Sequence, residues 1–226
     1  MHAKPSNTPL ADIDRAVAAC RICERLVAWR EDVAVARRAA YRDEEYWGRA
    51  VPAFGDPNPW LLIVGLAPAA HGANRTGRIF TGDRSGDFLF TGLYAAGLAN
   101  QPHSTSRSDG LELHGCRITA VVHCAPPANR PTPAERDACL PFLAREIEAC
   151  PSLTAILALG GFAWDGTLRA LAAARPWPTF GHGAEASVGG LRLIGCYHPS
   201  QQNTFTGRLT PRMLIDVLGL AQQATA

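Results

Sequence analysis

The sequence predicts an α/β fold, a three-layer α/β/α sandwich with a central four-stranded parallel sheet and an N-terminal helical arm. The chain has 226 residues, of which 47% are hydrophobic and 19% charged, and this suits one compact domain. Four short apolar runs lack the polar alternation of half-exposed strands, as strands buried on both faces do. A helix-compatible stretch follows each run, which is the order that parallel strands with right-handed crossovers require.

The N-terminal arm is predicted from helical spacing. Apolar residues between Leu10 and Ala40 recur three or four positions apart, beginning with Ile13 and Val17. The segment CRIC, from Cys20 to Cys23, interrupts this pattern. We therefore expect two helices with a break at CRIC.

The strands and helices of the sandwich follow in alternation. The predicted strands are Trp60–Pro68, Cys116–His123, Leu153–Gly160 and Leu191–Tyr197. The predicted helices are Asp87–Ala99, Pro133–Cys150, Phe162–Ala174 and Pro211–Gln222. Thr132 and Pro133 form a typical N-cap and first helical position.

The loops after the strands are where a ligand is expected, because open parallel sheets bind ligands at the carboxyl ends of their strands. The three long loops are GLAPAAHGANRTGRIFTGDRSG, HCAPPANRPTP and YHPSQQNTFTGRLTP. None contains the glycine spacing of a dinucleotide fold or a P-loop, so the usual phosphate cradles are absent.

Seven cysteines suggest a metal site. Cys20 and Cys23 are spaced to bind one metal, although a C-x-x-C motif can also be a redox pair. The further candidate ligands are Cys116, Cys124, Cys139, Cys150 and Cys196. Two of these lie in apolar strands as small buried side chains, whereas Cys124 and Cys139 flank one loop. Spacing alone leaves zinc and a four-iron cluster both open.

Bulk properties set the cellular expectations. The longest apolar run, Trp60–Ala70, is shorter than the roughly 20 residues that cross a bilayer. The N-terminus MHAKPSNTPL shows no signal peptide, so a cytoplasmic protein is expected. The net charge of +2 does not by itself indicate nucleic acid.

The motifs resemble those of a known family. GLAPAAHGANRTGRIFTGD, CAPPANRPTP and YHPSQQNTFTGRLTP, framed by CRIC and Cys139, resemble the fifth, B-type family of the uracil-DNA glycosylase superfamily. The resemblance extends from about Cys20 to Met213. It implies a single glycosylase-like domain over 1–226, in which an arm over 1–50 supplies two cluster ligands. It also implies a structural [4Fe-4S] cluster on Cys20, Cys23, Cys124 and Cys139.

The implied activity is removal of uracil from double-stranded DNA by a monofunctional glycosylase that leaves an abasic site. The protein is expected to be a nucleoid-associated monomer without a membrane partner. The departing base gains negative charge, and His198 resembles the residue that donates a hydrogen bond to it. Phe80 resembles the ring on which the flipped base stacks. The structural alternative for His198 is a hydrogen bond to a loop carbonyl oxygen. The structural alternative for Phe80 is a place in the hydrophobic core.

The first motif departs from the pattern of the superfamily. Ala67 replaces the carboxylate that activates water in many relatives, and Ala69 replaces a tyrosine that excludes thymine. We therefore expect a roomier pocket that also accepts hypoxanthine and ethenocytosine, with Gly65 and Ala67 in its wall. Asp83 is the nearest carboxylate for the water, and Asn129 could contact the base or hold that water. Capping a helix and holding a turn are the structural alternatives for these two residues.

Loop arginines concentrate positive charge near the strand ends. The residues expected to contact DNA phosphates are Arg75, Arg84, Arg130, Ser200 and Arg208. Ordinary solvated loop charge is the alternative for each arginine. One side chain between Gln202 and Leu209 is expected to wedge into the base stack.

Two other functions compete with this interpretation. One is a non-catalytic nucleotide-binding α/β module with a structural zinc. The other is a metal-dependent hydrolase that uses His71, His123 and His198, although no H-E-x-x-H pairing exists.

Overall fold

A computed structural model describes residues 8–225 of the chain. Its core is a six-stranded sheet with the strand order β1-β3-β2-β4-β6-β5. The strands are β1 (Phe54–Gly55), β2 (Leu61–Gly65), β3 (Cys116–Ala120), β4 (Ala155–Leu159), β5 (Glu185–Val188) and β6 (Leu191–Cys196). The predicted α/β class is therefore confirmed, and each of the four apolar runs forms a strand.

The predicted strand number was wrong, because the sheet has two additional edge strands. The four inner strands pair in parallel, with Ile63 opposite both Ile118 and Leu157. Strand β1 adds to β3 and strand β5 adds to β6, each antiparallel. Both edge strands are partly exposed, so they lack the continuous apolar run that revealed the inner strands.

Helices cover both faces of the sheet. They are α1 (Pro9–Ala18), α2 (Glu24–Ala36), α3 (Ala73–Thr76), α4 (Arg84–Ala95), α5 (Pro133–Glu148), α6 (Gly161–Ala170), α7 (Gln201–Phe205) and α8 (Pro211–Gln222). Helices α4 and α8 pack on one face, where Leu89 and Leu214 join the core formed around Ile63. Helices α1, α5 and α6 pack on the other face, where Trp164 and Leu143 join the core around Leu62. Neighbouring residues such as Leu62 and Ile63 join opposite cores, because successive side chains of a strand point to opposite faces of the sheet.

The N-terminal arm consists of α1 and α2, which the segment Cys20–Cys23 separates as predicted. A buried ion network fixes the arm to the sheet. The guanidinium of Arg117 in β3 binds Asp14 of α1 at 2.7 Å and Glu146 of α5 at 2.6 Å. This ion network therefore joins α1, β3 and α5, whose charged residues lie 103 and 29 positions from Arg117 in the sequence.

Helix α5 begins with the predicted cap. The Thr132 side chain accepts from the Glu135 backbone, and the Glu135 side chain accepts from the Thr132 backbone, which completes a capping box. Of the described helices, none has the length and apolarity needed to cross a membrane. The expectations for MHAKPSN at the N-terminus lie outside the described residues.

Candidate active site

The main cleft opens where β2 and β6 end, as the fold predicted. It has a volume of about 470 Å³, within the range of small-molecule pockets. Its walls are formed by Leu66, Ala67, Pro68, Ala69, Ile79, Phe80, Asp83, Arg84, Ser85, Asn129, His198, Ser200, Gln201 and Gln202. All three long loops contribute to it, so motifs far apart in the sequence meet here.

Phe80 forms part of the floor of the cleft. It is 8% exposed and belongs both to the core and to the cleft wall. Gly65, predicted to line the pocket, lies beneath the ring instead, because a Cβ at Gly65 would be 2.8 Å from Phe80 Cε2. The backbone of Phe80 is in the left-handed region, at φ 52°. The local structure thus holds one aromatic face toward the cleft at some conformational cost.

His198 lies beside this ring. The two ring centroids are 5.9 Å apart, with an angle of 33° between the planes. Asn203 Nδ2 donates a hydrogen bond of 2.8 Å to the His198 carbonyl oxygen and so fixes the loop after β6. Burial lowers the pKa of His198 to about 4, so its imidazole is neutral near pH 7. A neutral imidazole offers one N–H donor to a ligand in the cleft.

Asp83 has two roles. Its Oδ1 accepts a hydrogen bond of 3.0 Å from the Gly86 backbone, which makes Asp83 the N-cap of α4. The same carboxyl lines the cleft, where burial raises its pKa above the ordinary value. A side chain at Gly72 would collide with Asp83 Oδ2, so the first loop also depends on a glycine here. The predicted capping role of Asp83 is confirmed, and the cap fixes the position of the Asp83 carboxyl group in the cleft wall.

Asn129 and two alanines complete the recognition surface. Asn129 lies exposed at the end of a short 3-10 turn, Pro127–Asn129, with φ 54°. Both Ala67 and Ala69 line the cleft, so no larger side chain extends into it from these two positions. The range of bases that the pocket accepts stays a prediction.

The residues expected to contact phosphates divide into two groups. Arg84, Arg130 and Arg208 are exposed, and Ser200 lies half-buried in the cleft wall, where it caps α7. Arg75 is 8% exposed and pairs with Glu44, while its Nε donates to the His71 carbonyl oxygen at 2.8 Å. The predicted phosphate contact of Arg75 does not agree with this buried position.

Sequence reasoning missed some residues of the cleft. Ser85 and Gln201 lie in its wall without having been predicted there. Phe205, at the end of α7, is 68% exposed and lies under the Arg84 guanidinium at 5.3 Å. A phenylalanine in the otherwise polar segment QQNTFTGR was the available signal for an exposed ring within the segment predicted to wedge.

A second site lies between the arm and the sheet. The four cysteines of the predicted cluster, Cys20, Cys23, Cys124 and Cys139, line a single cavity, which we call the thiol cavity. Two N–H groups point at its sulfurs: Arg30 Nη1 lies 2.9 Å from Cys124 Sγ, and the His123 backbone N lies 3.4 Å from Cys139 Sγ. Burial raises the pKa of Cys124 to about 11 and that of Cys139 to about 12. Such thiols ionise when a metal replaces the proton.

The remaining metal-site alternatives have little structural support. Cys116, Cys150 and Cys196 are buried away from the thiol cavity, as expected of small core side chains. His71 binds the Tyr46 hydroxyl and His123 binds the Val51 carbonyl oxygen, so they do not converge with His198. Across residues 8–225, no three His, Cys, Asp or Glu side chains surround a single metal-ion position, and this holds for the four cysteines of the thiol cavity as well.

Comparison with known proteins identifies the family of the chain. The model of the uracil-DNA glycosylase superfamily matches residues 52–220. A type-5 uracil-DNA glycosylase of Mycobacterium leprae is 56% identical over 212 residues, which cover 92% of each protein. Another from Mycobacterium bovis is 56% identical over 217 residues, covering 95% of this chain and 81% of that protein. A third, from Thermus thermophilus, is 49% identical over 201 residues, covering 88% and 91%. This chain therefore belongs to the type-5 branch of the uracil-DNA glycosylase superfamily.

Proposed function

We propose that the protein is a monofunctional DNA-repair glycosylase that removes uracil, and also hypoxanthine and ethenocytosine, from double-stranded DNA. The paired rings of Phe80 and His198 at the wall of the main cleft carry this proposal, since they provide a stacking face and a donor for one flipped base. The relatives named as uracil-DNA glycosylases support the activity on uracil. A monomer acting on the chromosome in the cytoplasm is part of the proposal.

His198 acts on the leaving group. As the bond between the sugar C1′ and the base nitrogen breaks, its electron pair moves onto the base, and for uracil the negative charge collects in part on the carbonyl oxygen beside that nitrogen. A neutral imidazole N–H stabilises this charge by a hydrogen bond without transferring its proton. The low pKa of His198 fits this role, because the ring need not lose a proton before the base binds.

Asp83 acts on the water. A water molecule attacks C1′ from the side opposite the base, and its proton passes to the Asp83 carboxylate as the new C–O bond forms. The raised pKa of this carboxyl makes it a better proton acceptor than an exposed aspartate. Asn129, at the rim of the same cleft, contacts the base or holds the water. The products are the free base and an abasic site.

The small side chains of Ala67 and Ala69 in the cleft wall determine which bases the cleft accepts. A tyrosine at position 69 would fill space that a purine or an etheno ring needs. We expect single-turnover assays on matched duplexes, each with one uracil, hypoxanthine or ethenocytosine, to show release of all three. Ala69→Tyr should retain uracil release and lose most of the activity on the larger bases. Equal loss on all three bases would contradict the proposed role of this wall.

We also propose that the thiol cavity holds a structural [4Fe-4S] cluster. The donor set fits, because four thiols line one cavity and each iron of such a cluster takes one thiolate. The buried cation at Arg30 favours sulfurs in the anionic form. When bound, the cluster would anchor the arm to the loop after β3 and to α5. Iron and acid-labile sulfide in the purified protein, with a brown colour, are expected, whereas a zinc protein would be colourless.

A further inference from the structure

Arg30 is a buried cation between the two sites. It lies in α2, and its side chain is 1% exposed. Its Nη1 donates to Cys124 Sγ and its Nη2 donates to the Cys20 carbonyl oxygen, both at 2.9 Å. Its Nε has no hydrogen-bond partner among the described residues. The guanidinium therefore contacts a cysteine of the thiol cavity without lining the cavity itself, and it uses that sulfur as one of its acceptors.

The charge of Arg30 lacks a carboxylate partner. The neighbouring Glu31 is about half exposed and pairs with Arg21 at the surface. No ion pair joins Arg30 to an acidic side chain within residues 8–225. An arginine does not lose its proton in a protein, and a buried unpaired charge is strongly unfavourable. Among the groups that the Arg30 guanidinium contacts, the sulfur of Cys124 is therefore the one that can carry a balancing negative charge.

Arg30 also touches the first loop of the main cleft through its backbone. Asn74, fully buried in α3, donates from Nδ2 to the Arg30 carbonyl oxygen at 3.1 Å. Helix α3 belongs to the loop that carries Ala67 and Ala69 into the cleft wall. The same residue thus contacts a proposed cluster ligand with its side chain and the cleft loop with its main chain.

We propose that Arg30 is the positioning residue that balances the charge of the thiol-bound cluster and fixes the arm between the cluster and the main cleft. The inference rests on the proposed [4Fe-4S] cluster. A positive charge and an N–H donor beside a ligating sulfur stabilise the more negative, reduced form of a cluster and hold the thiolate in place. Loss of that charge should therefore lower the reduction potential and weaken iron binding.

The test compares substitutions in the iron-containing protein. Arg30→Met removes the charge and the donors at similar length, whereas Arg30→Lys keeps the charge. The control Arg37→Met removes an exposed charge at the C-terminal end of the same helix, where Arg37 Nη1 donates to the Arg42 carbonyl oxygen. The measurements are iron per chain, the rate of iron loss to a chelator and the reduction potential. We expect iron loss from Arg30→Met to be about 10–100-fold faster, the range for residues behind metal ligands.

The remaining outcomes separate the possible explanations. Arg30→Lys should restore most of the potential, and Arg37→Met should match the wild type in all three measurements. Asn74→Ala removes the hydrogen bond to the Arg30 backbone but leaves the charge, so it should keep the wild-type potential. Wild-type iron loss and potential in Arg30→Met would overturn the inference while leaving the cluster proposal intact. A wild-type protein without iron would overturn the cluster proposal, and the inference with it.

Discussion

The main cleft and the thiol cavity both bury ionisable groups, but their charges are balanced in different ways. In the cleft, burial lowers the pKa of His198 to about 4 and raises that of Asp83, so both shifts favour a neutral group. At the thiol cavity, the Arg30 guanidinium contacts Cys124 Sγ, while burial raises the pKa values of Cys124 and Cys139. The protonation states in the cleft are therefore set by the protein alone, whereas in the thiol cavity the proposed cluster would supply the negative charge that faces Arg30.

The strongest test of the cleft is Asp83→Asn. We expect single-turnover base release to slow by about 10²–10⁴, because a general base acts in the transition state, while binding of uracil-containing duplex stays nearly unchanged. Asp87→Asn makes the same charge change one turn further along α4, outside the cleft wall, and should behave as the wild type. An Asp83→Asn variant with wild-type rates would mean that the water needs no side-chain base.

The pH profile tests the same residue. A protonated Asp83 cannot accept a proton, so the rate should fall as the pH drops through its pKa, which burial places above 3.8. His198 stays neutral above about pH 4, so no inflection is expected near 6.5, where an exposed histidine titrates. Single-turnover rates between pH 4 and 8 measure this. The acid limb should be absent in Asp83→Asn, and an inflection near 6.5 would indicate that the histidine titrates there.

His198→Ala should have the next largest effect. Removal of one preorganised donor to developing negative charge typically costs about 10²–10³ in rate, and we expect a loss of this size in base release. His182→Ala provides a matched control, since His182 is also partly buried and packs against Tyr197 at 5.2 Å but lies outside the cleft wall. Equal losses in both variants would point to a general disturbance of this region instead.

Cysteine substitutions separate the thiol cavity from the core. Cys20→Ala, Cys23→Ala, Cys124→Ala or Cys139→Ala should each lower iron content and folding yield, because an incomplete thiolate set would leave the Arg117 ion network as the remaining anchor of the arm. The core cysteines provide the controls, and Cys116→Ala, Cys150→Ala and Cys196→Ala should retain iron. Metal analysis of the purified variants decides this, and a uniform loss across both sets would show that the ligands were chosen wrongly.

The smallest effects concern the arginines around the cleft. Arg84→Ala should reduce the slope of log binding constant against log salt by about 0.9, the contribution of one phosphate contact. Arg75→Ala should leave that slope unchanged and lower the melting temperature, because Arg75 is buried against Glu44 and the Gly82 carbonyl. Titrations of duplex at several salt concentrations, together with thermal unfolding, distinguish the two. If Arg84→Ala and Arg75→Ala changed the salt slope and the melting temperature equally, the difference in burial would not distinguish a phosphate contact from a structural role.

The sequence predicted those parts of the fold that have a local pattern. The inner strands were visible because each is a continuous apolar run, and Thr132 was visible because a capping box is a local motif. The edge strand β5 could not be predicted in this way, because its residues alternate between exposed and half-buried and include the polar Glu185 and Ser187. Prediction of such a strand requires knowledge of its partner, β6.

Two arginines near the cleft and the thiol cavity also could not be interpreted from the sequence without knowledge of their partners. Arg75 looks like any loop arginine, since its partner Glu44 lies 31 positions away. Arg30 did carry a local signal, because it lies at helical spacing from the buried Leu26 and Val33. A charged residue on the apolar face of a helix indicates a buried partner, but the sequence does not identify that partner. The motifs located His198 and Asp83 in the cleft, whereas their shifted pKa values depend on packing.

The cap formed by Asp83 also has an evolutionary consequence. Asparagine and serine cap a helix about as well as aspartate does, so the start of α4 would survive the loss of this carboxylate. Selection for a folded protein would therefore not oppose such a change. If Asp83 is the proposed general base, a descendant with asparagine at this position would keep its fold and its cleft and lose base release.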